Sequence, residues 1–179
     1  MEFVSDEIIM QKVKEGNLSE LSLLFERYNK KLYNYFLKTG LERDISQDLT
    51  QNLFYRMIKY RNTYKEGYCV KSWIYQMARN LHNDFRNHQK KSDNLIIREE
   101  SYSKDVSEES ETFHEEDYEK LERALLSLSD EQREIIVLSR FQKMKYEEIS
   151  TILDQSVPAI KVAVHRAIKQ LRCIYFQQV

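Results

Sequence analysis

The sequence is poor in residues that interrupt helices and in cysteine. Its 179 residues include one proline, three glycines and two cysteines. Glycine and proline are the strongest helix breakers, so their scarcity predicts a mostly helical chain with few interruptions. Cys69 and Cys173 are lone cysteines far apart in the sequence. They favour reduced thiols, because a disulfide framework or a zinc site needs more cysteines at closer spacing.

Long apolar runs and a secretion signal are also missing. No stretch approaches the roughly 20 apolar residues that span a bilayer. The N-terminal MEFVSDEIIMQ lacks the basic region, apolar core and cleavage site of a signal peptide. The composition, 41% hydrophobic and 32% charged residues, is typical of a folded soluble protein. We therefore expect a cytoplasmic protein without membrane insertion.

The residues that carry enzyme chemistry are sparse and scattered. His82, His88, His114 and His165 have no partner ligands at metal spacing, and glycine-rich phosphate loops are absent. We therefore expect no catalytic residues, no metal site, no cofactor and no small-molecule substrate, and the protein is predicted not to be an enzyme.

Charge is strongly segregated along the chain although the net charge is only -1. The stretch 71–91 is basic, with Asp84 as its one acid, and the last helical stretch is basic again. Between them, residues 92–122 contain twelve acids against Arg98, Lys104 and Lys120. A basic, acidic, basic order of this kind is informative about partners, because the basic segments suit nucleic acid.

The acidic stretch SYSKDVSEESETFHEED has no apolar periodicity and few large aliphatic residues. Such a segment buries too little surface to offset the entropy of ordering, so it predicts a flexible linker. We expect a first domain over 1–91, a linker over 92–116 and a second domain over 117–179. A solvated acidic loop on a single domain is the alternative.

The first half contains three amphipathic helical patterns. NLSELSLLFERYNKKLYNYFLKTG, DISQDLTQNLFYRMIKY and SWIYQMARNLHNDFRNH space their large apolar residues by threes and fours. Asn17 with Glu20, and Asp44 with Gln47, have the spacing of N-terminal capping boxes. These patterns predict a small helical bundle, so the fold class is all-α.

The second half ends in a helix-turn-helix pattern. A short helix, KYEEISTILD, is followed by the residues QSV and then by a basic helix with an apolar stripe. Pro158 fits the first turn of that helix, and Ser156 is available as its cap. An ordinary pair of surface helices with a solvated basic face is the alternative interpretation.

These stretches resemble a known family. LSDEQREIIVLSRFQKMKYEEISTILDQSVPAIKVAVHRAIKQLR is similar to region 4 of the sigma-70 family, and LLFERYNKKLYNYFLKTGLERDISQDLTQNLFYRMIKY with KSWIYQMARNLHNDFRNHQKK is similar to region 2. The two regions in this order, joined by a short acidic linker, resemble the small extracytoplasmic-function (ECF) sigma factors. The resemblance implies promoter-specific transcription initiation, with core RNA polymerase, promoter DNA and an anti-sigma factor as partners.

The resemblance also implies roles for individual residues. Asp48, Gln51 and Phe54 match the segment that docks on core polymerase, with Asn52 standing where the family often has glutamate. Residues that match the capture of the minus-10 element as a single strand are Tyr64, Tyr68, Lys71, Trp73, Arg79, Asn80, Arg86, Lys90 and Lys91. Their aromatic, amide and cationic groups suit stacking, base edges and phosphates respectively. Core packing is the alternative for Phe54 and Trp73.

For the minus-35 duplex the resemblance implies one face of the last helix. Its predicted contact residues are Ser156, Pro158, Ala159, Lys161, Val162, Ala163, His165, Arg166 and Lys169. Ala159 replaces the usual threonine, and Val162 with Ala163 replaces a frequent Ser-Arg pair. Alanine offers only apolar contact to a base, so specificity is expected to depend on Lys161, His165 and DNA shape, unless the element is read only weakly.

Two other function classes remain open at this point. A dimeric helix-turn-helix regulator that never recruits polymerase explains the second half but gives DISQDLTQNLF no role. A purely protein-binding helical adaptor explains neither basic segment.

Overall fold

The structure is a computed structural model that describes residues 4–93 and 115–177. Within these ranges every regular element is helical, and there is no strand, which confirms the all-α prediction. The α-helices are α1 (Asp6–Lys14), α2 (Leu21–Lys38), α3 (Arg43–Lys59), α4 (Val70–Asp93), α5 (Glu115–Leu126), α6 (Asp130–Ile136), α7 (Tyr146–Leu153) and α8 (Val157–Gln177). Short 3-10 turns precede α2 and follow α3, and a π-helical turn, Val137–Phe141, follows α6.

The N-terminal caps predicted from the sequence are confirmed in the second half of the chain and are wrong in the first half. Ser129 caps α6 by accepting from the backbone N–H of Gln132 at 3.3 Å, as the capping pattern predicts. The predicted cap at Asn17 is wrong, because its side chain instead accepts a hydrogen bond from the Ser19 hydroxyl and α2 begins only at Leu21. Short polar side chains often make such local bonds in place of a cap.

The predicted cap of α3 is also wrong. Glu42 holds the cap position, and Asp44 lies inside the first turn. A carboxylate there still favours the helix, because it faces the positive end of the helix dipole. The error is two residues in the helix start and leaves the helix itself as predicted.

The first half packs its helices around a core rich in aromatic rings. Tyr35 and Phe36 of α2 are fully buried, and the Tyr35 ring meets Tyr75 of α4 edge-on with centroids 5.5 Å apart. Leu53 of α3 and Met10 of α1 close the same core. Burying these side chains stabilises the fold by about 25 cal/mol for each Å² of apolar surface removed from water.

The second half is built on the last two helices. Ile149 of α7 is fully buried, as are Ile160 and Ala167 of α8, and they pack with Ile135 of α6. The turn between α7 and α8 passes through Asp154, whose φ of 53° is left-handed. This geometry confirms the helix-turn-helix prediction.

The two halves contact each other directly. Their buried side chains form one cluster, and α4 packs against α7. Helix α4 continues to Asp93 and α5 starts at Glu115, whereas residues 94–114, most of the predicted linker, lie outside the described part of the chain. The division into a domain over 1–91, a linker over 92–116 and a domain over 117–179 stays a prediction.

Candidate nucleic-acid interface

The outer face of α8 displays the residues predicted for the minus-35 duplex. Those with exposed side chains are Ser156, Pro158, Ala159, Lys161, Val162, His165, Arg166 and Lys169, while Ala163 is half-buried. The helix is capped by Ser156, whose hydroxyl accepts from the N–H of Ala159 at 3.4 Å. A helix N-terminus in the major groove places its first turns nearest the base edges.

Val162 is the unusual member of this face. Half of its side-chain surface, 50%, is exposed although the residue is apolar. The buried side of α8 is provided by Ile160, Val164 and Ala167, so core packing does not account for the position of Val162. An exposed valine between cations can contact a thymine methyl group.

Helix α4 carries its predicted DNA residues on two opposite faces. Trp73 and Asn80 are seven residues apart and share one face, whereas Lys71, Arg79 and Arg86 lie on the other. The two faces meet different neighbours.

The first face of α4 lines a shallow pocket of about 260 Å³, named here the α4 pocket. Its lining residues are Arg56, Tyr60, Thr63, Trp73, Gln76, Met77 and Asn80. The volume lies below the roughly 300–1,000 Å³ of sites for drug-sized ligands. Aromatic, amide and cationic groups around a small cleft suit one unstacked nucleobase and its backbone.

The wall of the α4 pocket is supported from behind by Tyr64. Its ring meets Trp73 edge-on at a centroid distance of 5.6 Å, and its hydroxyl donates to the Tyr68 carbonyl at 2.7 Å. Tyr64 is only 1% exposed, whereas Tyr68 is 58% exposed. Burial, with the nearby Glu7 carboxylate, raises the pKa of Tyr64 above its ordinary value. Tyr68 is therefore the tyrosine of this loop that a DNA base can reach.

The second face of α4 meets acids of the second half in a set of ion pairs, named here the charged seam. Its members are Lys71, Arg79, Arg86, Asp130, Glu134 and Glu148. The Nε atom of Arg79 donates to both Glu134 oxygens at 3.1 and 3.3 Å. Arg86 contacts both oxygens of Asp130 at 3.0 and 2.8 Å, and Lys71 lies 3.8 Å from Glu148.

Glu134 is the most enclosed acid of the charged seam. The Tyr35 hydroxyl donates at 3.2 Å to Oε1 of Glu134, the oxygen to which the Nε atom of Arg79 also donates at 3.1 Å. Burial raises the pKa of Glu134, while Arg79 acts in the opposite direction. Burial and the Glu134 charge raise the pKa of Tyr35 well above its ordinary value, which keeps that hydroxyl a donor. The carboxylate thus accepts hydrogen bonds from both a cation and a neutral hydroxyl.

The remaining predicted residues lie away from these two faces. Lys90 is exposed near the end of α4, and the side chain of Lys91 lies outside the described part of the chain. Asp48 and Gln51 are exposed on α3. Phe54 is only 6% exposed, and its ring lies 4.8 Å from that of Phe25, which is 43% exposed.

Several residues of the interface were not singled out from the sequence. Arg56 lies on the last turn of α3, and Tyr60, four positions on, directly follows the helix; this spacing puts them on one side and is visible in the sequence. Phe25 is one position of the apolar pattern of α2, and nothing local indicates that its ring is left half exposed. The sequence does not distinguish the seam acids from ordinary surface acids, because their partners lie 44 to 77 residues away, far beyond any helix repeat.

Known proteins resemble this chain in sequence. Residues 118–171 match the model of the family described as Sigma-70, region 4. The ECF RNA polymerase sigma factor SigM of Bacillus subtilis is 28% identical over 156 residues, which cover 85% of this chain and 93% of that protein. RNA polymerase sigma factor CarQ of Myxococcus xanthus is 27% identical over 168 residues, or 91% and 93% of the two chains. The chain is thus similar in its second half to region 4 of the sigma-70 family and over most of its length to sigma factors, several of them of the ECF type.

Two solved structures share this fold over both halves. CnrH, in complex with the cytosolic domain of CnrY, superposes with a TM-score of 0.74 at 17% identity, covering 97% of this chain and 99% of that one. The sigma factor RpoE of Bartonella quintana, in complex with the anti-sigma factor NepR, gives a TM-score of 0.71 at 21% identity over 87% and 96% of the chains. Because the sequence identities are only 17% and 21%, these structures show a shared fold and no more.

None of the helices in residues 4–93 and 115–177 combines the length and apolar character needed to cross a membrane. The same part of the chain contains no group of three or more histidine, cysteine, aspartate or glutamate side chains arranged to hold a metal ion.

Proposed function

We propose that this protein is a sigma factor that binds core RNA polymerase and directs it to promoters. The observation that carries the proposal is the presence of two DNA-suited surfaces in one chain whose second half resembles region 4 of the sigma-70 family: the basic face of α8 and the α4 pocket. The named relatives are RNA polymerase sigma factors, which supports a role in transcription initiation. Core polymerase and promoter DNA are the proposed partners.

At the minus-35 element, α8 is proposed to lie in the major groove. Lys161, Arg166 and Lys169 supply positive charge for phosphates, and each phosphate neutralised releases counterions from the DNA. His165 and Val162 face the same way and provide a hydrogen-bonding ring and an apolar contact. Because valine has no hydrogen-bonding group, it favours thymine by contact and rejects other bases only weakly.

At the minus-10 element, the α4 pocket is proposed to receive one base from the separated strand. Trp73 offers a ring face or edge to the base, and the amide of Asn80 pairs with an exposed base edge. Tyr60 and Arg56 close the other side of the pocket. Holding an unstacked base offsets part of the cost of opening the duplex, which is a few kcal/mol per base.

The surface of α3 is the proposed contact with core polymerase. Asp48 and Gln51 provide a carboxylate and an amide on adjacent turns. Phe54 packs against the half-exposed Phe25 ring, so the apolar part of the contact is proposed to be the pair of rings. A polymerase-bound sigma factor works where the polymerase is, and a cytoplasmic location is part of the proposal.

An anti-sigma factor is a further proposed partner. Two solved structures with this fold are complexes, one of CnrH with the cytosolic domain of CnrY and one of the sigma factor RpoE with the anti-sigma factor NepR. Because this chain has the same fold over most of its length, it offers a protein of that kind a surface of similar shape.

Reconstitution tests the proposal directly. Purified protein, core polymerase and a library of promoter fragments are combined, and run-off transcripts are sequenced. We expect transcripts that share minus-35 and minus-10 elements and that require this protein. If core polymerase is not bound, no transcript forms and the protein alone protects a palindromic duplex, the proposal is wrong and a dimeric regulator replaces it.

A further inference from the structure

The loop that leads into α4, residues 64–69, has no side-chain core of its own. Residues 65–69 are all exposed, whereas Tyr64 at the start of the loop and Val70 just after it are buried. Tyr68 belongs to the exposed part, and Trp73 lies in the first turn of α4, directly after the loop. The positions of both predicted DNA contacts therefore depend on how the two ends of the loop are held.

Helix α1 holds both ends of the 64–69 loop through two side chains, named here the α1 clamp. The ammonium of Lys14 donates to the Tyr64 carbonyl at 2.8 Å, and a carboxylate oxygen of Glu7 accepts from the backbone N–H of Val70 at 3.4 Å. Glu7 and Lys14 are seven residues apart, so they share one face of α1. Within the loop, the Tyr64 hydroxyl donates to the Tyr68 carbonyl at 2.7 Å.

The Glu7 contact lies at the N-terminus of α4. Val70 is the first residue of that helix, and the first N–H groups of a helix have no acceptor within it. A carboxylate at this place accepts from one of them and faces the positive end of the helix dipole. Because Trp73 is in the same turn, the contact also fixes the turn from which Trp73 reaches the α4 pocket.

Helix α1 is itself anchored to the rest of the first half. Asp6, in its first turn, accepts hydrogen bonds from the Arg27 guanidinium and the Tyr28 hydroxyl of α2. Three apolar side chains of α1 are fully buried in the core: Ile9, Met10 and Val13. The loop ends are therefore tied to a packed helix and not to another mobile surface segment.

We propose that α1 positions the 64–69 loop for the minus-10 strand, with Glu7 and Lys14 as positioning residues that act through the loop and not by touching DNA. The identity of the strand rests on the proposed function. A loop held in its binding shape loses little conformational entropy when the strand binds. Without the α1 clamp the loop adopts other shapes, and the apparent dissociation constant rises as the competent fraction falls.

The charge of Glu7 makes it the more informative member of the α1 clamp. Removing an acid makes the protein more positive, which by itself strengthens binding to DNA, whereas loss of the clamp weakens it. Because the two effects have opposite signs, a loss of affinity in Glu7→Ala reports the clamp and not net charge. Glu7→Gln keeps an oxygen that accepts from the Val70 N–H, so it is expected to retain most of the native affinity.

The test measures binding of full-length variants, assembled with core polymerase, to a promoter fork that carries the minus-10 single strand. We expect Glu7→Ala and Lys14→Ala to bind this fork about two- to ten-fold more weakly than the native protein, the effect of one hydrogen bond. Binding to the minus-35 duplex is expected to stay native, because the 64–69 loop is distant in the chain from α8 and carries none of its predicted contacts.

Matched controls remove the same charges from or next to the same helix. Glu15→Ala and Lys12→Ala change exposed side chains whose partners, Gln11 and Glu20, lie outside the 64–69 loop. Both controls are expected to bind the fork like the native protein. Equal affinity of Glu7→Ala and Glu15→Ala, and of Lys14→Ala and Lys12→Ala, would overturn the proposal. An equally large loss at the minus-35 duplex would contradict it as well, since that pattern indicates a general folding defect.

A second measurement reads the loop in the free protein, without DNA. Trp73 is the single tryptophan of the chain, and its ring meets that of Tyr64 edge-on at 5.6 Å, so its fluorescence reports the end of the loop directly. We expect acrylamide to quench Trp73 more strongly in Glu7→Ala and Lys14→Ala than in the native protein, Glu7→Gln and the two controls. Quenching that is the same in all of these proteins rules out the positioning role.

Folding and function are separated from this result by two further comparisons. If Lys14→Ala loses its helical circular dichroism, the exposed sites are used, and Glu7→Ala is compared with Glu15→Ala. Run-off transcription by the native protein tests the proposed function independently. Absent transcripts with a quenching difference between Glu7→Ala and Glu15→Ala remove the sigma activity alone, and transcripts without that difference remove the positioning role alone.

Discussion

Arg133 joins the two halves through backbone carbonyls. Its guanidinium, on a side chain that is largely buried, donates to the carbonyls of Leu125, Leu126, Leu128 and Thr39. Three of these carbonyls lie at or just beyond the C-terminal end of α5, and the fourth follows α2. Such groups lack partners within their helices, so one side chain satisfies acceptors of both halves.

Gly40 allows Arg133 to approach this closely. Its φ is +97°, and a Cβ added there would lie 2.6 Å from Nη1 of Arg133. We expect Gly40→Ala to lower the free energy of unfolding by about 2–4 kcal/mol, through backbone strain and through the clash with a guanidinium that is held by hydrogen bonds. Urea unfolding followed by circular dichroism measures the change.

Gly67→Ala is the matched control for that variant. Gly67 has a φ of +84°, but no atom lies within 4 Å of an added Cβ. Strain alone should then cost about 1–2 kcal/mol. Equal losses in the two variants would mean that the approach of Arg133 to Gly40 contributes nothing.

Asn80 is the residue of the α4 pocket with the clearest base-reading chemistry. Asn80→Ala removes an amide that pairs with a base edge, and we expect a loss of about 1–3 kcal/mol in binding the single-stranded minus-10 element. Binding is measured with core polymerase and a promoter fork that carries this strand. Asn87→Ala, an exposed asparagine of α4 outside the pocket lining, is expected to bind normally. The same loss in both variants would argue against the pocket.

On the scale of elements, α8 has two functions on two faces. The buried face packs through Ile160 and Val164, and the outer face carries the predicted duplex contacts. This division follows from the helical period, because apolar residues three and four apart lie on one side. Mutations on the outer face should therefore change DNA binding with little effect on stability.

Lys161→Ala tests the duplex-binding role of α8. We expect weaker binding to the minus-35 duplex. The slope of the logarithm of the binding constant against the logarithm of the salt concentration should become shallower by about 1, the contribution of one phosphate contact. Binding is measured at several salt concentrations. Arg172→Ala removes the same charge from an exposed site three turns further along α8 and is expected to have a smaller effect. Identical losses would mean that overall charge, and not the first turns of α8, determines affinity.

Helix α3 is the element predicted to meet core polymerase. Asp48→Asn removes a charge from its exposed face and is expected to weaken core binding by about 1–3 kcal/mol if the carboxylate is buried in the complex. Gln47→Ala, at the neighbouring exposed position, serves as control. Both are measured by competition for core polymerase. Unchanged binding of Asp48→Asn would remove this role from the residue.

For the molecule as a whole, the contact between the halves links stability to pH through His82. This residue of α4 is 7% exposed, its Nε2 has no hydrogen-bond partner, and it faces Asn83 and Arg86 of α4 and Asp130 and Arg133 of α6. Burial, assisted by the arginines, lowers the pKa of His82 to about 4 from 6.5. The folded protein therefore holds His82 neutral.

The unfolded chain binds a proton at His82 in the window between about pH 6.5 and 4, and the folded chain does not. The free energy of unfolding should fall on the order of 2–3 kcal/mol as pH drops through this window. The raised pKa of Glu134 acts oppositely, since that group stabilises the folded state more at low pH.

His82→Gln removes the contribution of His82 to the pH dependence of stability and leaves the contribution of Glu134 in place. Urea unfolding at about pH 7 and pH 5 gives the free energy of unfolding of each protein at both pH values. The fall in this free energy from pH 7 to pH 5 should be smaller in the variant than in the native protein. His88→Gln, at an exposed site of α4, is expected to keep the native pH dependence. A native dependence in His82→Gln would exclude His82 as its source.

The helices and the helix-turn-helix could be predicted because their signals are local. Apolar spacing, Ser129 as a cap and Pro158 in a first turn each depend on residues within one or two turns. The caps at Asn17 and Asp44 were wrong because a neighbouring hydroxyl and an earlier helix start took their places. The outer face of α8 followed from the same period, since its inner face is apolar.

The sequence by itself thus determined the fold class, the family resemblance and which residues of α8 face outwards. Only the tertiary structure decided how α4 is used, because both of its faces are polar and the helical period cannot rank them. Trp73 and Asn80 line a pocket with α3, whereas Arg79 pairs with Glu134, 55 residues away. Contacts at such separations depend on how helices pack, and no local pattern encodes them.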